Sequence, residues 1–558
     1  MKSKYPWALV SLLIIFYLII IHALVSKPVI GWEGLAWDQI MHVFKHEYGA
    51  IDLFIHPTFF GYFGALNFKL FGPGEASFRL MGIFSFLGTL LLLPFLVRYL
   101  LGGENYSFPA AAAVILFALS PLGVQGSLTN DMTDTGLLVF ATTVFFTVYY
   151  AFYNAGTAKK ILVLGAVYGF CLCTKVTTSL ALPLAIFIFY GLRKTWREAC
   201  LLSLGLFAVG MLVFSLSWLL NCLFIDRTAE FFSPFIYVFT SFSGSARQAN
   251  QGGLAQWLNW LLTAFRMGMW LTPFFLILLA VAVFYQARQF ISRKIIHEEN
   301  QLLVYSAMVF FVYLYANAII QGGFPKYIAP VLPLLCVYIG ITLYRLSDNR
   351  SIYWFWGVVF FGGCFYYYYV IGDALYPTFL MREYSYMNHS IFPLLAGFGV
   401  KELLFPVALA GAVFLAKKYS PRQMLMIICV SLCANNAATL AAQSKAAYAT
   451  GEAYGSEGAG VVKQFYLKNK MIYVCREGVV ATVDKVEFRT IPAMAWNDAA
   501  AFYAFMEQRR PQSFVYGLAC NTIAQMRIME TSPIREYLDQ NYHRTIAGEY
   551  VLCQRLTK

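Results

Sequence analysis

Apolar runs of about 20 residues recur along this chain from Trp7 onward, and few alternate with polar residues as half-buried strands do. A segment in hydrocarbon has no water to satisfy its backbone, so runs of this length become membrane-crossing helices. They begin near Trp7, Ser77, Phe108, Met132, Ile161, Thr177, Ala199, Trp270, Leu302, Ile328, Ser351, Pro393 and Met424, which makes about thirteen spans if residues 161–190 divide into two. Only 12% of the 558 residues are charged, about half the share usual for a soluble domain. The net charge of +13 comes without a single basic patch, which argues against a nucleic-acid partner. Residues 1–26 lack a small-residue cleavage site after their apolar run and read as an uncleaved first span.

Charge density separates two parts. Residues 455–558 hold 13 basic and 10 acidic side chains, a third of all the charge in the last 104 positions. Residues 1–442 therefore read as a polytopic membrane domain, 443–460 as an Ala/Gly/Ser-rich linker and 461–558 as a small soluble α/β domain. Its expected strands are 471–475, 486–490, 513–517 and 549–555, and its expected helices 498–508 and 522–530. Between the apolar runs, Lys2, Lys4, Arg98, Lys159, Lys160, Arg193, Lys194, Arg197, Arg288, Arg293, Lys294, Arg345, Arg350, Lys417, Lys418 and Arg422 fall in alternate connections. The positive-inside rule makes these connections cytoplasmic. The remaining connections carry most of the acids, including Glu33, Asp38, Asp52, Asp131 and Asp134, and with the amino terminus inside they face outward together with the carboxy-terminal domain. The expected location is thus a plasma membrane, in a bacterium its inner membrane, with the candidate chemistry on the extracytoplasmic side.

The first outward connection, residues 27–75, is patterned. Trp37, Ile40, Met41 and Phe44 recur at helical spacing with Asp38, Gln39, His42 and Lys45 opposite, the mark of an amphipathic helix lying in the interface. Glu33 is expected just before it, where the positive helix end keeps a carboxylate ionised. Such a carboxylate suits a base, an anchor for a substrate hydroxyl, or simply a helix cap. Asp131 and Asp134 stand at the outer start of a later run, where an ionisable group is a functional candidate by default. Lys175, Arg266 and Lys326 break the charge rule by lying at outer span ends, as fixed partners for an anion would, or as side chains snorkelling to headgroups.

Several local motifs then follow in order: Gly31-Trp32-Glu33-Gly34, His56-Pro57-Thr58, Phe68-Lys69-Leu70-Phe71-Gly72 with Glu75 and Arg79, Thr133-Asp134-Thr135-Gly136, Gly169 to Thr174 with Lys175, and Pro325-Lys326-Tyr327-Ile328-Ala329-Pro330. Their order and sidedness resemble the GT-C glycosyltransferases, in particular the branch with the protein O-mannosyltransferases and the lipid A aminoarabinose transferase. The resemblance implies a GT-C fold and inverting transfer of a sugar from a polyprenyl-phosphate donor to a lipid, glycan or protein acceptor. It also implies an acidic site at Glu33 and Asp134, with substrate contacts from Lys175, Lys326 and Tyr327. His56 and Asp131 lie on the same outer connections as candidate substrate contacts, although a lone loop histidine is more often structural. Arg266 is a candidate on placement alone.

The family usually carries an Asp-Glu pair in the first loop, and Trp32 stands at the Asp position here. The base role is thus open among Glu33, Asp38 and Asp52, and a catalytically silent, donor-binding homologue is a further reading. A lipid-linked sugar flippase is the alternative from another functional class, although no repeat of related halves is visible. No phosphate-cradling glycine loop of nucleotide-dependent enzymes appears, as fits a lipid-linked donor. The seven histidines are scattered, which speaks against a zinc-type ligand cluster, while a divalent cation held by Glu33 and Asp134 remains compatible. Residues 231–268 are expected to fold over the donor, and 373–390 to line the acceptor side. Among Cys475, Cys520 and Cys553 one disulfide is open, leaving a spare thiol.

Overall fold

The structure, a computed structural model, describes chiefly residues 4–22, 32–45, 59–128, 136–224, 273–293, 296–317 and 329–346, then 457–474, 487–491, 498–517 and 531–556. The expected spans beginning at Ser351, Pro393 and Met424 lie outside them. The other ten apolar runs all fall on helices: α1 (Lys4–His22), α4 (Glu75–Leu100), α5 (Ser107–Ala118), α7 (Leu137–Ala151), α8 (Thr157–Thr174), α9 with α10 (Val176–Ser179, Ala181–Arg193), α11 (Trp196–Phe224), α12 (Pro273–Arg293), α13 (Asn300–Asn317) and α14 (Leu332–Leu346). Two helices precede α4, namely α2 (Trp32–Lys45) and α3 (Phe59–Phe71), and the short α6 (Pro121–Leu128) follows α5. Among the described residues, four helices are long and apolar enough to cross a membrane: Glu75–Leu100, Thr157–Thr174, Trp196–Phe224 and Ala329–Leu346.

The run at 161–190 does divide, at Lys175, whose extended backbone (φ −158°, ψ 117°) separates α8 from α9. Small residues set how closely the helices approach. A Cβ on Gly165 would stand 2.5 Å from Val209, and one on Gly169 would stand 2.5 Å from Val213. Gly205 meets Ile161 in the same way, so α8 and α11 run parallel in a fixed register, four residues of one matching four of the other. Gly82 lies against the backbone of Ser127, and Gly340 against that of Pro109, which brings α6 onto α4 and α14 onto α5. Large side chains fill the remaining space, with Tyr17, Phe117, Phe145, Phe146, Tyr168, Tyr305 and Tyr338 almost wholly buried.

At the ends of α12, α13 and α14 a polar knot ties the bundle. Glu299 accepts from Arg345 at 3.0 Å and from Gln286 at 2.9 Å. Glu298 pairs with Arg193 at 2.9 Å, while Tyr150 Oη donates to the Glu298 carbonyl at 3.0 Å. Burial, helped by Arg345 and Arg193 close by, lowers the pKa of His297 to about 4.

The carboxy-terminal part is a five-stranded sheet of order β2-β1-β3-β5-β4, with β1 (Met471–Val474), β2 (Glu487–Thr490), β3 (Ser513–Gly517), β4 (Tyr542–Ala547) and β5 (Tyr550–Arg555). The first three strands are parallel, and β5 pairs antiparallel with both β3 and β4. Strand alternation sends Ile472, Val474, Val515 and Leu552 to one face with Tyr466 of α15 (Glu457–Lys468). Phe514, Tyr516 and Cys553 go to the other, against α16 (Ala499–Arg509) and α17 (Ser532–Asn541). Asp498 caps α16, accepting from the amides of Ala500 and Ala501. All four expected strands are present, shifted by a residue or less at their ends, but β4 and α17 were not anticipated. Helix α15 begins at Glu457, inside the stretch expected to be linker.

Candidate active site

The first-loop helix forms as its spacing requires. Its apolar stripe buries Ala36, Trp37, Ile40 and Met41 against Phe60 and Phe68 of α3, Phe78 and Met81 of α4, and Leu137 at the start of α7. Trp37 rests on Phe68 and Phe78, with ring centroids 4.8 Å and 5.6 Å away. Gly64 leaves room for Ile40 to reach the α3 backbone. Two details differ from expectation. Gln39 is buried at 4% exposure instead of facing away, because the helix is covered on more than one side. Glu33 lies within the first turn, since the helix already starts at Trp32.

Several expected site residues stand close in sequence to the elements of this cluster. Glu33 and Asp38 ride on α2, and Asp134 lies three residues before Leu137. Phe170 of α8 packs on Phe59 of α3 at 5.4 Å, and Lys175 follows five residues later. His56 precedes Phe59 by three residues. Lys175 is half-buried, and its amide closes α8 by donating to the Cys171 carbonyl at 2.9 Å. Beside it, the hydroxyls of Thr178 and Ser179 are completely buried and have no hydrogen-bond partner among the described residues. His56, Asp131, Asp134, Arg266, Lys326 and Tyr327 lie outside the described residues, as do the expected donor cover and acceptor wall, 231–268 and 373–390, but for Phe231, Phe232 and Ile236. Among the described residues no three His, Cys, Asp or Glu side chains converge as a metal set.

Arg79 carries a role that spacing alone does not reveal. It is buried, and it donates from Nε to the Leu128 carbonyl at 2.9 Å and from Nη1 to the Val25 carbonyl at 3.0 Å. One guanidinium thus fastens the chain just ahead of the Glu33 loop and just ahead of Asp131 and Asp134. Its fork of donors suits two carbonyls at helix ends better than an ammonium would. The signal was its place in the first-loop motif, on an otherwise apolar helix where a buried cation needs a reason. Tyr62 of α3 similarly donates to Asn221 Oδ1 of α11 at 2.5 Å, and Trp218 Nε1 donates to the Phe231 carbonyl at 2.9 Å.

Known proteins bear on this arrangement in two ways. Residues 55–218, spanning α3 to α11 and including Lys175, match the family described as dolichyl-phosphate-mannose-protein mannosyltransferase. The fold matches the crystal structure of ArnT from Cupriavidus metallidurans bound to undecaprenyl phosphate, with a TM-score of 0.64 at 15% identity over 100% of this chain and 99% of that one. The chain has the GT-C fold. The apo form of the same ArnT gives a TM-score of 0.59 at 14% identity, over 99% of each chain. The oligosaccharyltransferase AglB from Archaeoglobus fulgidus, in complex with an inhibitory peptide and a dolichol-phosphate, gives 0.51 at 11% identity over 99% of this chain and 74% of that one. No curated protein matches the chain in sequence. The resemblance to GT-C membrane glycosyltransferases read from the first loop and the span ends is therefore borne out, as is the helical membrane fold with a small α/β part behind it.

Proposed function

We propose that this GT-C chain transfers a sugar from a polyprenyl-phosphate donor to an acceptor hydroxyl on the extracytoplasmic face, with inversion at the anomeric carbon. The observation that carries this reading is the single apolar cluster under α2, α3, α4, α7 and α8, which supports a common end of the bundle for the acids of α2 and for Lys175. The undecaprenyl phosphate held by the similarly folded ArnT, and the dolichol-phosphate held by AglB, favour a lipid-phosphate donor.

In the proposed step the acceptor oxygen attacks the anomeric carbon and gives its proton to a carboxylate, Glu33 or its loop partner Asp38, with Asp134 as the further catalytic acid. The bond from that carbon to the phosphate oxygen breaks on the opposite side, and polyprenyl phosphate departs with the electron pair. Lys175, with Lys326 and Arg266 at matching outer ends, neutralises the charge growing on that phosphate. His56, Asp131 and Tyr327 would hold the sugar or the acceptor.

Transfer of labelled sugar from a polyprenyl-phosphate donor by the protein in liposomes tests the reading. Glu33→Gln, Asp38→Asn and Asp134→Asn are each to be measured, and loss of the base should lower turnover about 10²–10⁴-fold. Full transfer by all three variants would remove the site, and donor movement across the bilayer without transfer would make the protein a flippase.

A further inference from the structure

A second cationic centre lies at the opposite end of the bundle, where α8 begins, α10 ends and α11 begins. The parallel register of α8 and α11 brings their amino-terminal turns to one membrane face, far along both helices from Lys175. Lys159 and Lys160 stand in the first turn of α8, and Lys194 and Arg197 flank the start of α11. Lys159, Lys160 and Arg197 oppose the dipoles of α8 and α11 and so do not serve those helices, whereas Lys194 caps the end of α10, where a cation is favoured. None of the four has an ion pair among the described residues. The acids in the neighbourhood are Glu298, engaged by Arg193, and Glu198 in the first turn of α11.

Lys160 is the decisive residue. It is only 9% exposed, and its ammonium sits 5.5 Å from the Tyr153 ring centre and 5.8 Å from that of Tyr190. Two tyrosine rings hold the positive charge in place with no carboxylate in ion-pair contact among the described residues, Glu198 acting only from a distance. Around this centre Leu162, Leu192, Leu201 and Trp196 are all more than half exposed. Trp196 stands on Phe187, ring centroids 5.4 Å apart, as an interface anchor does.

We infer that this end of α8, α10 and α11 is a docking surface for an anionic phospholipid, its headgroup phosphate on Lys160, Lys194 and Arg197 and its acyl chains along the exposed leucines. Basic pockets between helices at a membrane face recognise lipid headgroups through this combination of charge and apolar rim. A soluble anion would meet the charge but leave the rim uncovered.

Full-length protein in nanodiscs of phosphatidylcholine, with and without phosphatidylglycerol, provides the test. Native mass spectrometry should find phosphatidylglycerol retained over phosphatidylcholine by about tenfold or more, with a higher unfolding midpoint in the mixed discs. Lys160→Met, which keeps the stem between the rings, and the exposed pair Lys194→Gln with Arg197→Gln should each reduce that preference by about fivefold or more. If Lys160→Met does not fold, the exposed pair decides. Unchanged preference in the pair, no preference in the wild type, or equal stabilisation by inorganic phosphate in phosphatidylcholine discs would each overturn the inference.

Discussion

Arg79 shows how one side chain organises a site that it need not touch. Its two carbonyl bonds lie inside the bundle, where no water replaces them, and charged hydrogen bonds of this kind contribute about 1.5–3 kcal/mol each. Arg79→Met should therefore lower stability by about 3 kcal/mol, read by thermal unfolding in detergent. Transfer should also fall in the fraction that remains folded, because both acidic connections lose a common anchor. Cys553 is a contrasting case. It is fully buried at the middle of β5, and burial raises its thiol pKa far above the ordinary range, so it should resist maleimide until the sheet unfolds. Labelling of the native protein at Cys553, read by peptide mass spectrometry, would contradict the sheet as described. Cys475 and Cys520 lie outside the described residues.

Between elements, two interfaces matter. The α8–α11 contact depends on glycines whose place a side chain would fill, and Gly165→Leu or Gly169→Leu should force the helices apart at a cost of about 1–3 kcal/mol. Lower unfolding midpoints together with weaker transfer would follow, since α8 carries Lys175 at its far end. The knot joining α12, α13 and α14 responds to pH. His297 titrates near 4 in the folded protein, against an ordinary value of 6.5, so the unfolded chain binds the proton first as pH falls. Its contribution is complete above about pH 6.5 and is lost between there and 4, about 1 kcal/mol after allowance for partial exposure. Burial raises the pKa of neighbouring Glu299, which works in the opposite direction, so the comparison has to be His297→Asn against wild type. The variant should lose less stability across this window, as measured by unfolding midpoints from pH 7 to pH 4.

For the whole molecule, orientation is the property on which the proposed chemistry depends. A cysteine introduced at Glu47, in the first-loop region, should be labelled by an impermeant reagent in intact cells. One at Lys159 should be labelled only after the membrane is opened. The reverse pattern would place the acids of α2 in the cytosol, away from any donor on the outer face. The division at 443–460 has its own test: residues 455–558 expressed alone should unfold cooperatively, because helices cover the sheet on both faces and its own side chains fill the two cores.

The amino-acid sequence by itself determined the membrane class, the position of ten helices, the amphipathic first-loop helix and most of the sheet. Each of these depends on a local period or on run length, which the bilayer or a half-buried surface imposes residue by residue. The resemblance that pointed to GT-C was likewise carried by short motifs in order. Only the tertiary structure decided that Arg79 fastens two loops, that Gly165 and Gly169 set a parallel register, that Glu33 stands inside a helix turn, and that Lys160 lies between two tyrosines. Apart from the Glu33 turn, those facts depend on residues 7 to 54 positions apart meeting in space, and nothing periodic in a chain records which distant partners will meet. Strand β4 escaped for a related reason: its burial pattern is irregular, and its place in the sheet comes from pairing with β5, not from its own alternation.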